Sequence, residues 1–346
     1  MNNPPLISLF PVSRRAAGRR LLGAWLLLSL SCGAGETGAP ESPVPPPALG
    51  PSFARQEFFL HPGDTISLIQ TAGDSPVPPD GWDLVSSRPE WFQVNPQGEV
   101  RLTEAALEGI RSGTLVSGEA AEVRARMGGV LAEGEGESCL VILRKDPRRT
   151  LDGEGRLRDP GDYDALVNKS RRLPSSYIPP DLVLVETPTC LEMEEVRKMR
   201  REASAALTEL FRAAAGEGFT LVARSGYRAY RTQEALYNNY VFTQGQEYAD
   251  RYSARPGTSE HQTGLVMDIT SPEMNYQLEE SFGETPAGMW VAANAHRFGF
   301  IIRYPRGKEG ITGYAYEPWH LRYVKPALAG RLHSLGLTLE EFFNLP

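Results

Sequence analysis

Short hydrophobic runs separated by turn signals dominate the first part of the 346-residue chain. Asn95-Pro96-Gln97-Gly98 is one such turn signal. Several short strands with turns between them are typical of a β-sandwich, so we predict a small β-sandwich-like domain of unknown role over residues 53–148. The predicted strands lie at residues 58–60, 65–69, 91–94, 100–102 and 138–143.

After residue 152 the chain contains longer segments in which apolar residues recur at regular spacing. Residues 192–215 repeat apolar side chains at helical spacing and end before Gly216 and Gly218. We also predict helices at 232–242, 287–298, 326–335 and 339–343, and strands at 219–223, 265–269, 300–303 and 319–324. Prolines between 164 and 185 predict an irregular lead-in without a helix or central strand. The predicted class of the unit at 152–346 is therefore α+β.

The N-terminus has the pattern of an export signal. Arginine pairs at 14–15 and 19–20 precede an apolar run at 21–30 that is too short to span a bilayer. Small residues flank Cys32, so the segment 1–32 resembles a bacterial lipoprotein signal, although Ser29 stands where leucine is preferred. We expect an exported protein of the cell envelope, and membrane attachment through a lipidated Cys32 is left open.

Composition narrows the class of protein further. Residues 33–52 form a Pro/Gly-rich linker that cannot bury a core. The net charge of −7, from 36 Lys+Arg against 43 Asp+Glu, argues against nucleic-acid binding, which needs a basic surface. Three cysteines and five histidines are too few for a zinc-finger array or a disulfide-rich scaffold.

Four residues of the C-terminal unit have the spacing of a metal site with a neighbouring base. His261 and Asp268 are seven residues apart, with Gly264 between them, and Glu317 and His320 are three apart. Two histidines and one aspartate suit zinc, which takes three N/O ligands in hydrolases and keeps one position open. Pro318 prevents a helix here, so the segment is extended or a turn, and His320 begins a strand. Glu317 and His320 can then converge from one loop, with Glu317 free as a base.

The motifs around these residues resemble those of the zinc D,D-carboxypeptidases of the VanY type. The matching runs are SEHQTGLVMD at 259–268, EPWH at 317–320 and, in the substrate-binding stretch, SGYRAYRTQ at 225–233. The resemblance covers roughly residues 166–323. It implies a small antiparallel sheet with helices, a fold shared with hedgehog domains. It also implies removal of the C-terminal residue from peptidoglycan stem peptides.

The resemblance also implies a role for each matching residue. His261, Asp268 and His320 would hold Zn²⁺, and Glu317 would be the general base and then the general acid. Arg228 would face the reacting peptide as a fixed planar cation.

Two smaller polar residues complete the implied site. Gln233 and Ser259 would hold the free C-terminal carboxylate, which would make the enzyme an exopeptidase.

Several alternatives stay open at this point. The scissile bond could be D-Ala-D-Ala or the bond between an L-centre and D-Ala, because the family contains both. An endopeptidase that cuts cross-links would need an open groove. A non-catalytic zinc-containing module that binds the cell wall would not need Glu317.

Overall fold

The computed structural model describes residues 57–68, 82–95, 97–127, 130–131, 138–146 and 150–343. The predicted export signal, Cys32 and the linker at 33–52 lie outside these residues and stay predictions. None of the described helices combines the length and the apolar character needed to cross a bilayer.

Two small sheets and one helix form the N-terminal part of the described chain. Its elements are β1 (Glu57–Leu60), β2 (Thr65–Ser67), β3 (Trp82–Ser86), β4 (Phe92–Val94), β5 (Glu99–Leu102), α1 (Glu104–Arg111), β6 (Ala120–Met127), β7 (Val130–Leu131) and β8 (Ser138–Leu143). One sheet has the order β1-β8-β6-β3 with β7 beside β6, and the other has the order β2-β5-β4. Side chains from both sheets share one core, including Leu60, Phe92 and Val141.

Thirteen elements follow in the described C-terminal part. They are β9 (Leu182–Leu184), β10 (Lys198–Arg200), α2 (Arg201–Gly216), β11 (Val222–Ser225), α3 (Tyr230–Gln244), α4 (Gln246–Tyr252), β12 (Val266–Thr270), α5 (Pro286–Asn294), β13 (Phe300–Tyr304), α6 (Glu309–Thr312), β14 (Glu317–Tyr323), α7 (Pro326–Leu335) and α8 (Leu339–Phe342). A four-stranded antiparallel sheet of order β11-β12-β14-β13 is central. The predicted α+β class, with a small antiparallel sheet and helices, is confirmed.

The two faces of this sheet have opposite chemistry. Met267, Ile269 and Leu321 lie in the same core cluster as Leu207 and Phe211 of α2. Because side chains alternate along a strand, the residues between them point to the other face. That second face carries the buried polar and charged residues Asp268, Arg303, His320 and Arg322. The apolar face therefore supplies the core, and the polar face is free to build a site.

The predicted helix at 192–215 begins too early. A 3₁₀ turn (Glu195–Arg197) and strand β10 precede α2, and β10 pairs with β9 through Met199 and Val183. Met199 is fully buried, so tertiary pairing outweighs the local helical period here. The lead-in does contain one short strand, β9, which follows the proline pair at 179–180. Among the described residues it pairs only with β10, in a two-stranded sheet, and is therefore not a central strand.

The N-terminal part packs against the C-terminal helices. A third cluster joins Ile142 of β8 to Leu328 of α7 and Phe342 of α8. Gly118 lies so close to α7 that a Cβ there would be 2.7 Å from the Leu328 Cα. The ring of Phe59 meets Phe342 edge-on at 6.1 Å between centroids. The placement of α8 thus depends partly on the N-terminal part.

Candidate active site

The three predicted metal ligands converge in the structure. One donor atom from each of His261, Asp268 and His320 lies within 4.8 Å of the others, and all three residues are buried. The His261 Nε2 atom is 3.4 Å from Asp268 Oδ2, and the His320 Nδ1 atom is 3.2 Å from Asp268 Oδ1. The two imidazole nitrogens therefore flank a single carboxylate.

Strand register and one glycine produce this convergence. Asp268 on β12 is directly opposite His320 on β14, so both side chains project from the polar face of the sheet. His261 lies in a 3₁₀ turn (Glu260–Thr263) that ends at Gly264 with a φ of 67°. Glycine is favoured in this left-handed conformation. A Cβ at Gly264 would also lie 2.8 Å from a methyl group of Leu182.

Glu317 reaches the same point through an irregularity in the sheet. Glu317 and His320 both lie in β14, so the segment takes the extended form, one of the two alternatives that Pro318 allows. Residues three apart in a regular strand point to opposite faces. Here the pairing shifts between Ile302 and Tyr304 of β13, and Tyr304 pairs with Glu317. This bulge turns the Glu317 carboxylate towards the site, and its Oε2 atom lies 3.4 Å from His320 Nδ1.

The second nitrogen of each histidine also has a defined neighbour. His261 Nδ1 is 2.7 Å from the carbonyl oxygen of Gly226, which as an acceptor requires the proton on Nδ1. His261 Nε2 is then left unprotonated and faces Asp268. His320 Nε2 faces the Glu260 carboxylate at 3.8 Å, which leaves Nδ1 facing Asp268 and Glu317. Both imidazoles thus direct one ring nitrogen into the same space.

The electrostatics of the site favour a bound cation. Burial lowers the pKa of His261 to about 3, so this imidazole is neutral. Burial also opposes charge on His320, but the surrounding carboxylates of Asp268, Glu260 and Glu317 outweigh burial and raise the pKa of His320 well above its ordinary value. Burial opposes ionisation of Asp268 too, yet the neighbouring imidazoles and Arg228 lower its pKa. The carboxylates thus favour positive charge between them.

Arg228 is held in a fixed orientation at the edge of the site. Its guanidinium donates to Gln233 Oε1 at 2.9 Å and to Ser225 Oγ at 3.1 Å. The buried Gln233 amide donates in turn to Ser253 Oγ and to the Ala254 carbonyl oxygen. In this structure Gln233 holds Arg228, and its predicted contact with a substrate carboxylate stays a prediction.

A cavity of about 290 Å³ collects all the predicted site residues. Its lining includes Arg228, Gln233, Ser259, His261, Asp268, Glu317 and His320. Ser259 is buried, whereas the Glu317 side chain remains 27% exposed. Glu317 therefore lies where the metal ligands meet the open part of the cavity.

Sequence reasoning assigned no role to several residues that shape this site. Gly226 accepts from His261, and a Cβ on Gly226 would lie 2.4 Å from the Lys198 carbonyl oxygen. Glu260 contacts His320 from behind, and Ser225 supports Arg228. These three residues belong to the motif sequences quoted above. Residue type alone does not distinguish a residue that supports the site from one that has no contact with it.

Comparisons with known proteins agree with this geometry. The family model for the D-alanyl-D-alanine carboxypeptidase VanY matches residues 196–326. The chain is 47% identical over 198 residues to YodJ of Bacillus subtilis, covering 57% of this chain and 72% of that protein. It is 32% identical over 184 residues to VanXYC of Enterococcus gallinarum, a bifunctional D-Ala-D-Ala dipeptidase and carboxypeptidase, covering 52% of this chain and 92% of that protein.

A solved structure gives the same result. The LdcB LD-carboxypeptidase is 47% identical to this chain, with a TM-score of 0.54, and the match covers 56% of this chain and 91% of that one. The resemblance stated from the motifs is thus confirmed by family model, relatives and fold. The chain belongs to the VanY family of D-alanyl-D-alanine carboxypeptidases.

Proposed function

We propose that this protein is a zinc-dependent carboxypeptidase that removes the C-terminal D-alanine from peptidoglycan stem peptides. The observation that carries the proposal is the convergence of His261, Asp268 and His320 within 4.8 Å, beside Glu317 and Arg228 in one cavity. The predicted export signal would place the enzyme in the cell envelope, where peptidoglycan is found.

The donor set fits zinc. Two imidazole nitrogens and one carboxylate oxygen are the ligand types found in zinc hydrolases, and three protein ligands leave a position open for water or substrate. The buried Asp268 Oδ1 has no hydrogen-bond partner among the described residues, as expected for an atom whose partner is a cation. When bound, zinc polarises the scissile carbonyl and lowers the pKa of a water molecule.

Glu317 is placed to move the proton in this reaction. Its carboxylate lies 3.4 Å from His320 Nδ1, adjacent to the open position, and it is more accessible than any of the three ligands. It can accept a proton from the attacking water and then deliver it to the leaving amine of D-alanine. The side chain would act as base and then as acid without leaving the cavity.

Arg228 is placed to bind the negative charge of the substrate. Its hydrogen bonds to Gln233 and Ser225 fix the planar guanidinium before the peptide arrives. A fixed guanidinium can bind a carboxylate through two hydrogen bonds, or stabilise the developing oxyanion. Ser259, on the cavity wall, would add a hydroxyl donor to the terminal carboxylate. These contacts favour a free C-terminus over an internal peptide bond.

The direct test is mass spectrometry of the products from defined muropeptides incubated with the protein and zinc. We expect loss of one D-alanine from pentapeptide or tetrapeptide, and no loss in the presence of a chelator. Which of the two peptides is shortened identifies a D,D- or an L,D-carboxypeptidase. Cleavage of a cross-linked dimer alone would identify an endopeptidase instead. Zinc binding without cleavage of any peptide would favour the wall-binding module.

Replacing Gln233 by leucine tests whether Arg228 must be held in place. The Gln233→Leu variant loses the acceptor for the guanidinium, and a hydrogen bond to a charged group contributes about 1.5–3 kcal/mol. We expect kcat/KM to fall by roughly 10- to 100-fold, with zinc content unchanged. Gln244→Leu, at an exposed position of the same helix α3, is the matched control. Equal activity of the two variants would refute the supporting role of Gln233.

A further inference from the structure

A fully buried cluster of charges lies directly behind the metal site. Its four members are Glu260, Arg303, Arg322 and Glu340, and none is more than 1% exposed. Burial of charged groups is costly unless each is paired and hydrogen-bonded. Such a cluster is weak evidence for a contribution to stability, and its contacts lead towards the metal site.

The cluster forms a continuous chain of contacts from the C-terminal helix to the metal ligands. Glu340 on α8 receives two hydrogen bonds from Arg303, at 2.9 and 2.6 Å. The Nε atom of Arg303 donates at 2.8 Å to Glu260 Oε1, which also lies 2.9 Å from Arg322 Nη1. Glu260 is thus held by two arginines through one oxygen, and its second oxygen is left over.

That second oxygen faces His320. Glu260 Oε2 and His320 Nε2 are both buried, both lack a hydrogen-bond partner among the described residues, and lie 3.8 Å apart. A shift of less than about 1 Å would bring them within the 2.7–3.2 Å of an N–H···O bond. No other described side chain forms an ion pair with this nitrogen. The Glu260 carboxylate is thus placed to fix the tautomer of a ligating histidine by accepting a hydrogen bond from its second nitrogen.

The charges of the cluster are suited to this task. Two carboxylates and two guanidinium groups sum to zero, so the cluster does not need a charged His320 to be balanced. The two arginines stabilise Glu260 as an anion. When a cation binds at Nδ1 of His320, this anion can accept the proton that stays on Nε2. The lone pair on Nδ1 then points at Asp268 and at the space between the ligands.

Helix α8, at the far end of this series of contacts, is held by contacts to the rest of the fold. Helix α8 begins with a capping box between Thr338 and Glu341. Arg144 of the N-terminal part donates to the Phe342 carbonyl oxygen at 3.3 Å, and Phe59 packs on the Phe342 ring. The position of Glu340 therefore reflects packing between α8 and the N-terminal part.

We propose that Glu260 is a positioning residue that fixes His320 for metal binding, and that Glu340 of helix α8 holds Glu260 in place through Arg303 of β13. This role rests on the proposed function, because the cation is the partner of His320 Nδ1. Carboxylates in this outer position contribute about 10- to 100-fold to metal affinity in known sites.

The test measures the zinc dissociation constant of the purified protein by competition with a chromophoric chelator, together with the melting temperature of the metal-free protein. Glu260→Gln removes the charge, whereas Glu260→Asp keeps the charge and withdraws the carboxylate from His320. Glu340→Gln releases Arg303 at the far end. Glu341→Gln, at the next residue of α8, removes the ion pair with Lys308 but no contact of the cluster. Its amide oxygen can still accept from the Thr338 N–H and so keep the cap.

We expect zinc binding to weaken by about 10- to 100-fold in both Glu260 variants and by a smaller factor in Glu340→Gln. The control Glu341→Gln, which loses only a partly exposed ion pair, should keep zinc affinity within about twofold of the wild type. If Glu260→Gln does not fold, the charge-preserving Glu260→Asp decides. A folded Glu260→Asp protein with wild-type zinc affinity overturns the inference. So does a control variant, Glu341→Gln, that binds zinc as weakly as Glu340→Gln does. A wild type that binds zinc but releases no D-alanine would refute the proposed function instead.

Discussion

Replacing Glu317 by glutamine is expected to lower the rate of D-alanine release by about 100- to 10,000-fold. Glutamine keeps the size of the side chain but cannot accept a proton from water at neutral pH. The metal ligands stay in place, because Glu317 begins β14 and approaches His320 only at 3.4 Å. The rate is measured from D-alanine release, and zinc content by elemental analysis of the same sample.

The control for this variant is an acid that lies outside the cavity. Glu273 is exposed and follows Pro272 in a turn after β12. The Glu273→Gln variant should release D-alanine at the wild-type rate. A Glu317→Gln protein that retains zinc and hydrolyses as fast as this control would show that another group moves the proton.

The sequence was sufficient to identify the metal ligands because their signal is local. His261 and Asp268 are seven residues apart, and a turn followed by the start of β12 connects them. Gly264, between them, adopts a left-handed backbone conformation that favours glycine. The strand that carries His320 was predicted from its apolar residues. The strand register that places His320 opposite Asp268 could not be predicted, since pairing depends on residues more than fifty positions apart.

The irregular features of the site were beyond sequence reasoning for a similar reason. The bulge opposite β13 that turns Glu317 towards His320 depends on pairing between two strands, and Pro318 only indicated that no helix forms. The start of α2 was misplaced because burial of Met199 against β9 outweighs a helical period. Tertiary contacts decide where such elements begin and end, and the residues that make these contacts are distant from one another in the sequence.

Supporting residues were missed because their partners come from distant segments. Glu260 was visible as one letter of a motif, but its role depends on Arg303 and Glu340, which lie 43 and 80 residues further along the chain. Gln233 was predicted to face the substrate, yet its amide is used within the protein by Arg228, Ser253 and Ala254. In both cases the residue type indicates which interactions the side chain can make, and only the fold shows which group it contacts.

Replacing His320 by alanine is expected to abolish both D-alanine release and stabilisation by zinc. A metal that binds only the folded state stabilises it by about 4 kcal/mol when its free concentration is 1,000 times the dissociation constant. For domains of ~150–250 residues each kcal/mol raises the melting temperature by roughly 2–4 °C. The wild type should therefore melt about 10 °C higher with excess zinc than after treatment with a chelator, and the variant should show no shift.

His333 provides the matched control for this experiment. It lies on α7, stacked on His296 at 3.7 Å between ring centroids, and it is not among the residues that line the site cavity. His333→Ala should keep the zinc-dependent rise in melting temperature and the wild-type rate. The two variants each remove one imidazole, a buried one at 320 and an exposed one at 333, and only the first lies in the site cavity. Equal zinc stabilisation of His320→Ala and His333→Ala would mean that the three converging side chains are not the metal site.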